Sequence, residues 1–483
     1  MTSDWFRKRF LGKTNLGDRG QEQTPGRSTP APTPPLYCRP KFLRGVGLEA
    51  REPGQRPVYS PARDHPLPWH TGYAEVINAE KSEFNEDQAV CCPLSIRRRE
   101  GGSEEEQEWL ILCQEEFMTG YYWALFDGHG GPAAAILASN YLHTCIRQKL
   151  EAVVEGVLAT QPPMHLSGHL VCPNDPQFVE EKHIRPEDVV VGALESAFQE
   201  CDEVIGQEME TMGQSSGCTA LAVLYLQGKL YVANAGDSRA ILVQKHGVMS
   251  LSSEFTPETE RQRIQYLAFV YPKLLADEFT RLEFPRRLKG DDVGQKVLYR
   301  DYGMTGWGYK RVEKADLKYP LVHGQGRQAR LLGTLAVTRG LGDHQLKVLD
   351  TDIEVKPFLS SIPQVHVMDL ELPSVGKDDI IIMATDGLWD ILSSEQVAQV
   401  ARSFLQKNRG DPYRVLLGDA ETQSLREEQG ALKSEERNCT SMTGLFLDLP
   451  SVKTPMINSY LAGGSIVCPL NLTLVMELPP TPE

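Results

Sequence analysis

One stretch of this chain combines groups suited to metal and proton chemistry: Tyr121-Tyr122-Trp123-Ala124-Leu125-Phe126-Asp127-Gly128-His129-Gly130-Gly131. The apolar run is short and aromatic, which predicts a buried strand delivering Asp127 to its end. Gly128 lacks a Cβ, so backbone carbonyls can approach a ligand closely there. A carboxylate, a carbonyl and an imidazole at one strand end suit a hard divalent cation and proton transfer. Ordinary Asp-Gly turn chemistry accounts for the same letters, so this stretch alone does not decide.

The pattern recurs. Ile380-Ile381-Ile382-Met383-Ala384-Thr385-Asp386-Gly387-Leu388-Trp389-Asp390 is again a β-branched run ending in Asp-Gly. Leu230-Tyr231-Val232-Ala233-Asn234-Ala235 runs into Gly236-Asp237, and Asn85-Glu86-Asp87 precedes the apolar Ala89-Val90. Four acidic groups beside strand-like runs can meet at the rim of a sheet. An unpaired buried carboxylate costs several kcal/mol, so such a cluster calls for cations. Oxygen-only ligands favour Mg²⁺ or Mn²⁺ over Zn²⁺.

Six motifs in order, Asn85-Glu86-Asp87, Phe126-Asp127-Gly128-His129-Gly130-Gly131, Gly217-Cys218-Thr219-Ala220, Ala235-Gly236-Asp237-Ser238-Arg239, Ala336-Val337-Thr338-Arg339-Gly340-Leu341-Gly342-Asp343 and Thr385-Asp386-Gly387-Leu388-Trp389-Asp390, resemble those of the protein phosphatase 2C family. The likeness is greatest to its eta isoform, with zeta second. The resemblance implies an α+β fold, an α-β-β-α sandwich of two antiparallel sheets flanked by helices. It implies metal-dependent hydrolysis of phosphoserine and phosphothreonine in proteins, by a water activated between two Mg²⁺ or Mn²⁺ ions, without a phospho-enzyme. By the same resemblance Asp127 bridges both ions, the Gly128 carbonyl binds one and Asp386 the other. Glu86 and Asp87 hold metal-bound waters or support that shell, and Asp237 and Asp390 border a weaker third site with Asp386. His129 is then the general acid for the leaving alkoxide.

Two departures stand out. Where many members carry a phosphate-binding arginine, this chain has Ser82; Lys81 is the nearest substitute, without the bidentate fork of arginine. The family's closing strand, with its acidic metal ligand, has no match after Asp390. Residues 415–483 read as an atypical tail, an alternative C-terminus from different splicing, whose apolar run at 465–478 offers a strand but only Glu477 as an acid. A lost ligand and an exposed sheet edge would follow, giving a weakened or inactive enzyme, or a phosphoprotein-binding isoform without turnover. A metal-dependent phosphodiesterase or nuclease is the weaker alternative.

The rest of the chain must position these residues. The 483 residues with 41% hydrophobic content support a large domain at 69–414, preceded by an arm at 1–68 whose Pro-, Thr- and Ser-rich part cannot bury enough apolar surface to order itself. Trp5, Phe6 and Phe10 with nearby cations make residues 4–13 a short amphipathic segment, suited to weak peripheral membrane contact, a local clip or plain disorder. A formal charge of -15 argues against nucleic acid as partner; phosphorylated proteins are the partners expected. The ten scattered cysteines suit reduced thiols and a cytoplasmic residence, with nuclear or peripheral membrane alternatives. No run has the length of a membrane span, and no secretory signal is visible.

Helices are predicted over 132–154, 189–211 and 394–406, the last capped by Ser393 or Ser394. The N-terminal amides of the first are expected to favour an anion. A meander of strands covers 217–243. Residues 256–330 have few strand signals and many cations, among them Arg261, Arg263, Arg281, Arg286, Lys310, Lys318, Arg327 and Arg330. By resemblance they form an enlarged flap, either a basic lip that steers anionic substrates or a solvated surface. Arg339 is expected to pair structurally with a carboxylate, and His344 to be a surface or helix residue.

Overall fold

The computed structural model describes residues 58–59, 71–76, 85–97, 118–162, 182–370, 375–376, 379–390, 392–407 and 472–477. All of them belong to the compact unit Pro34–Glu483; the unit Met1–Thr33 lies outside them. Lys81, Ser82, the amphipathic segment at 4–13 and most of the tail also lie outside the described residues.

Two antiparallel sheets carry the fold. The strands are β1 (Val58–Tyr59), β2 (Gly72–Val76), β3 (Gln88–Ile96), β4 (Met118–Phe126), β5 (Gly128–His129), β6 (Gly217–Cys218), β7 (Ala220–Leu226), β8 (Lys229–Ala235), β9 (Arg239–Val243), β10 (Val248–Ser250), β11 (Leu341–Gly342), β12 (Gln364–Asp369), β13 (Ile380–Ala384) and β14 (Leu472–Glu477). One sheet has the order β1-β2-β14-β13-β9-β10, the other β12-β8-β7-β4-β3, and β11-β6-β5 form a short third ladder. The helices are α1 (Ala133–Leu158), α2 (Pro186–Met212), α3 (Arg261–Val270), α4 (Asp386–Trp389) and α5 (Ser394–Lys407).

Strand alternation assigns each side chain to a layer. Tyr121, Trp123 and Leu125 pack between the sheets with Leu221, Val223, Leu242, Ile381 and Met383. Their neighbours Tyr122, Ala124 and Phe126 face α1 and α2, against Leu142, Ile146, Leu194 and Phe198. In β13 the opposite set, Ile380, Ile382 and Ala384, meets Val397, Ala398 and Ala401 of α5. Both faces of β4 and β13 are thus covered, so these strands read as continuous apolar runs rather than alternating ones. The result is the expected sandwich, helices outside and sheets within.

The helix ends follow local chemistry. α1 begins right after Pro132, and α2 begins three residues before the expected start, because Pro186 sits in its first turn while the Arg185 amide donates to Asp188 Oδ2 at 3.0 Å. Gly213, left-handed at φ 64°, ends α2. At α5 the Gln396 amide donates to Ser393 Oγ at 3.3 Å and the Ser393 amide to Gln396 Oε1 at 2.9 Å, making Ser393 the cap. Among the described residues no helix is long and apolar enough to cross a membrane.

Ile264, Ala268, Leu275, Phe279 and Leu321 of residues 256–330 join an apolar cluster with Leu331, Val337, Val355 and Phe358 from the chain that follows. The cations of residues 256–330 are largely committed to carboxylates: Arg281 to Asp301, Arg286 to Asp292, Lys310 to Asp316, Lys318 to Asp277, and Arg263 to Glu260. The expected basic lip is therefore weaker than its arginine and lysine content suggests, since paired charges project little field. Arg339 grips Glu260 with two guanidinium nitrogens, at 3.1 and 2.7 Å, so the expected structural pairing holds.

The tail supplies a strand. β14 lies between β2 and β13, with Gly72 opposite Val475 and Ala384 opposite Thr473. The exposed edge expected from the unmatched tail is thereby filled. Truncating the chain at residue 469 should strip both neighbours of their ladder partner. The expected outcome is a lower melting temperature and soluble aggregates, checked by thermal denaturation and light scattering; an unchanged, monomeric protein would refute the strand's role.

Candidate active site

Strand register brings the acidic residues to one rim. β4 and β8 both pair antiparallel with β7 and so run the same way, ending next to Asp127 and the Gly236-Asp237 turn. β3 starts where β4 stops, Gln88 opposite Phe126, which brings Glu86 and Asp87 beside Asp127. In the other sheet Ala384 faces Arg239, so Asp386 follows β13 at the end where Asp237 precedes β9. Thr219 ties these ends together. Its amide donates to the Asp127 carbonyl at 2.9 Å, and its hydroxyl lies 3.0 Å from that of Ser238.

Around Asp127 the backbone is tight. Gly128 continues as a strand rather than turning, and a Cβ there would lie 2.1 Å from the Glu86 carbonyl oxygen. Its amide donates to Asp87 Oδ1 at 3.2 Å, while the Asp87 amide donates to Asn85 Oδ1 at 3.1 Å. The turn comes later, at Gly130 and Gly131, both with positive φ. The Ala134 amide in the first turn of α1 donates to Ser216 Oγ at 3.2 Å, so one of the amides expected to attract an anion already has a protein partner.

His129 leaves this turn with Nε2 2.6 Å from Asp343 Oδ2; the histidine side chain is about one-third exposed and the aspartate is buried. Burial pushes the imidazole pKa down, but the Asp343 carboxylate, through its charge and hydrogen bond, with Asp127 and Glu86 further off, outweighs it and raises it to about 9. The Asp343 carboxylate thus favours the imidazolium, the form a general acid requires.

The second acidic group is built on buried Asn234. Its amide nitrogen donates to the carbonyls of Gly236, Ser238 and Ser253, which fixes the turn carrying Asp237. A Cβ on Gly236 would strike Thr219 Cβ at 2.3 Å. Burial first, then the charge of Asp386 with lesser contributions from Glu254 and Asp390, pushes Asp237 up to about 8. Asp386 opens the single turn of α4, which is anchored where Trp389 Nε1 donates to the Ala384 carbonyl at 2.9 Å. Asp390 is exposed, and Arg327 from the flap reaches it at 3.4 Å. Arg330 lies close enough to Asp237 and Asp390 to feel both charges.

Among the described residues no three His, Cys, Asp or Glu side chains alone form a metal cage. The acids stand instead as two groups, Glu86, Asp87 and Asp127 in one and Asp237, Asp386 and Asp390 in the other. Their chemistry fits a hard cation: oxygen donors, a Gly128 whose missing Cβ permits close approach of backbone, and an Asp237 carboxylate whose pKa is raised by burial and then by the charge of Asp386. Glu477 does not join them. It lies opposite Ile380, at the far end of β14 from Thr473, roughly 13 Å of strand away.

The expected site residues Glu86, Asp87, Asp127, Gly128, His129, Asp237, Asp386 and Asp390 all fall at this rim. Two residues that complete it, Asp343 and Asn234, have no role in the sequence reading. Asp343 closes one of the quoted motifs, but nothing in its spacing links it to a histidine 214 positions away. Asn234 reads as part of a strand, and only its buried side chain shows that it clamps a turn.

Residues 166–276 and 309–422 match the protein phosphatase 2C family model. The gap between the two matched stretches falls inside the flap. The chain is 68% identical over 421 residues to Protein phosphatase 1M of Mus musculus, covering 86% of this chain and 90% of the relative. It is 67% identical over 427 residues to Protein phosphatase 1M of Homo sapiens, with the same coverages. It is 45% identical over 460 residues to Protein phosphatase 1H of Mus musculus, covering 84% of this chain and 89% of the relative. These names leave the eta likeness an expectation.

Two outcomes are expected. Gly128→Ala should destabilise the chain by about 1–3 kcal/mol in urea denaturation, because the new methyl group displaces the Glu86 backbone. Asp237 binds a proton more tightly folded than unfolded, so without divalent cations stability should fall as pH rises from about 4 to 8. Asp237→Asn should remove most of that fall, and melting curves in chelator at pH 5 and pH 8.5 would measure it.

Proposed function

The chain belongs to the protein phosphatase 2C family, and on that premise we propose that it hydrolyses phosphoserine and phosphothreonine in proteins with Mg²⁺ or Mn²⁺ at this rim. The observation that carries the proposal is the convergence of Asp127, Asp237 and Asp386 from two sheets beside a histidine held by Asp343. Asp127, the Gly128 carbonyl and Asp386 would hold two ions, with Glu86 and Asp87 supporting them. Asp237 and Asp390 would border a weaker third. When bound, such cations would neutralise phosphate charge and lower the pKa of water, so that it loses a proton and becomes the nucleophile.

The remaining steps belong to the protein. His129 donates its proton to the departing serine or threonine oxygen, because an alkoxide is a poor leaving group unprotonated. Buried Asp87 holds the Gly128 amide and so the carbonyl beside it. Lys81 is proposed for the phosphate in place of the arginine that Ser82 replaces, and phosphorylated protein surfaces are the partners.

A second reading rests on Glu477: β14 fills the closing position with its one acid at the end remote from the rim. Under that reading the chain binds phosphoproteins with little turnover. A phosphothreonine peptide assay with Mn²⁺ separates the two. Turnover that falls at least about 10²-fold in Asp127→Asn supports the enzyme. Absence of turnover in the parent, with phosphoprotein binding retained, supports the binding isoform.

A further inference from the structure

The short ladder β11-β6-β5 sets Cys218 and Leu341 into the core and its remaining residues at the site. It aligns His129 with Gly217 and Gly217 with Gly342, so three backbones stand side by side at the site. A Cβ on Gly217 would lie 2.1 Å from Asp343 Oδ2 and 2.6 Å from His129 Nε2. The pair crosses directly over this glycine, and no other residue leaves it room.

Asp343 is itself held from behind. Its backbone is left-handed at φ 56°, following Gly342 at φ 88°, and its amide donates to the Ser216 carbonyl at 2.9 Å. The Gly342 amide donates to Oδ1 of buried Asp202, on α2, at 2.8 Å. Lys356 bonds the other oxygen of Asp202, and His344 Nε2 lies 3.1 Å from Oδ1. The His344 ring packs so closely on α2 that a Cβ on Gly206 would sit 2.8 Å from it. Asp202 thus fastens the helix layer to the loop carrying Asp343.

We propose that Asp343 is the positioning residue of the general acid: it takes the Nε2–H of His129, leaves Nδ1 to face the substrate, and is kept in place by the Asp202–Lys356 pair. The inference rests on the general-acid role given above to His129. In the step itself the bond from phosphorus to the leaving oxygen breaks, and that oxygen takes the Nδ1 proton. The N–H electron pair stays on the ring, which becomes the neutral Nε2–H tautomer, still bonded to an ionised Asp343. Solvent later returns the proton to Nδ1. A carboxylate that fixes a catalytic imidazole's tautomer is worth several decades of rate elsewhere, although it never touches the substrate.

The test uses the full chain with Mn²⁺ and two substrates. A phosphothreonine peptide has a leaving group that needs protonation; p-nitrophenyl phosphate has one that hardly does. His129→Ala and Asp343→Asn should each lower kcat on the peptide about 10²-fold or more and on the aryl ester far less, with KM little changed. Lys356→Met should show the same selectivity at smaller size, and it serves if Asp343→Asn does not fold. Loss on both substrates alike in Asp343→Asn, with selectivity intact in His129→Ala, overturns the inference alone. Loss of selectivity in His129→Ala overturns the general-acid role beneath it. Nitrogen-15 spectra of the ring need no turnover. The parent should show the Nε2–H tautomer when neutral and Asp343→Asn a shift towards Nδ1–H, whereas an unchanged tautomer also overturns the inference.

Discussion

Like charges converging at one rim are the constraint on which this structure turns. Buried carboxylates lose hydration and repel each other, and both effects, burial first and then the charge of Asp386, raise the pKa of Asp237. The surrounding fold makes that convergence durable. Buried strands on both sides fix the register, a one-residue slip would turn every core side chain outward, and the acids follow from the strand ends. The apolar layers around Trp123, Ile381 and Phe198 therefore do two things at once: they stabilise the sandwich and they hold mutually repelling groups together.

Close backbone approach is the second device. Gly128 against Glu86, Gly236 against Thr219 and Gly217 beneath the His129–Asp343 pair each occupy a place where a Cβ would collide. The motif glycines at Gly130 and Gly131 have a different job, reversing the chain through positive φ. Similar letters thus serve contact in one place and turning in another.

The flap and the tail modify this core without rebuilding it. The flap shares an apolar cluster with residues 331–359 and neutralises most of its cations internally, yet sends Arg327 and Arg330 towards the acids at Asp390 and Asp237. The tail contributes only β14 to the described fold, and that strand completes the sheet whose edge would otherwise be open. Sheet closure needs backbone hydrogen bonds and an apolar face, which many sequences satisfy. Ligand supply needs one acid at one end, and Glu477 stands at the other. Structural completion and chemical completion are separable here.

Residue types and local spacing by themselves determined much of this protein. The strand ends at Asp127, Asp237 and Asp386, the long helices, the Ser393 cap and the family likeness all rest on short-range pattern, where periodicity and turn chemistry act within a few residues. What only the tertiary structure decided involves groups far apart in the chain. Asp343 reaches His129, Asp202 reaches Gly342, Asn234 clamps a turn with its side chain, flap arginines meet carboxylates, and a tail of unfamiliar sequence enters a sheet between β2 and β13. Such contacts arise from strand pairing and packing across the whole domain, and no local propensity encodes them.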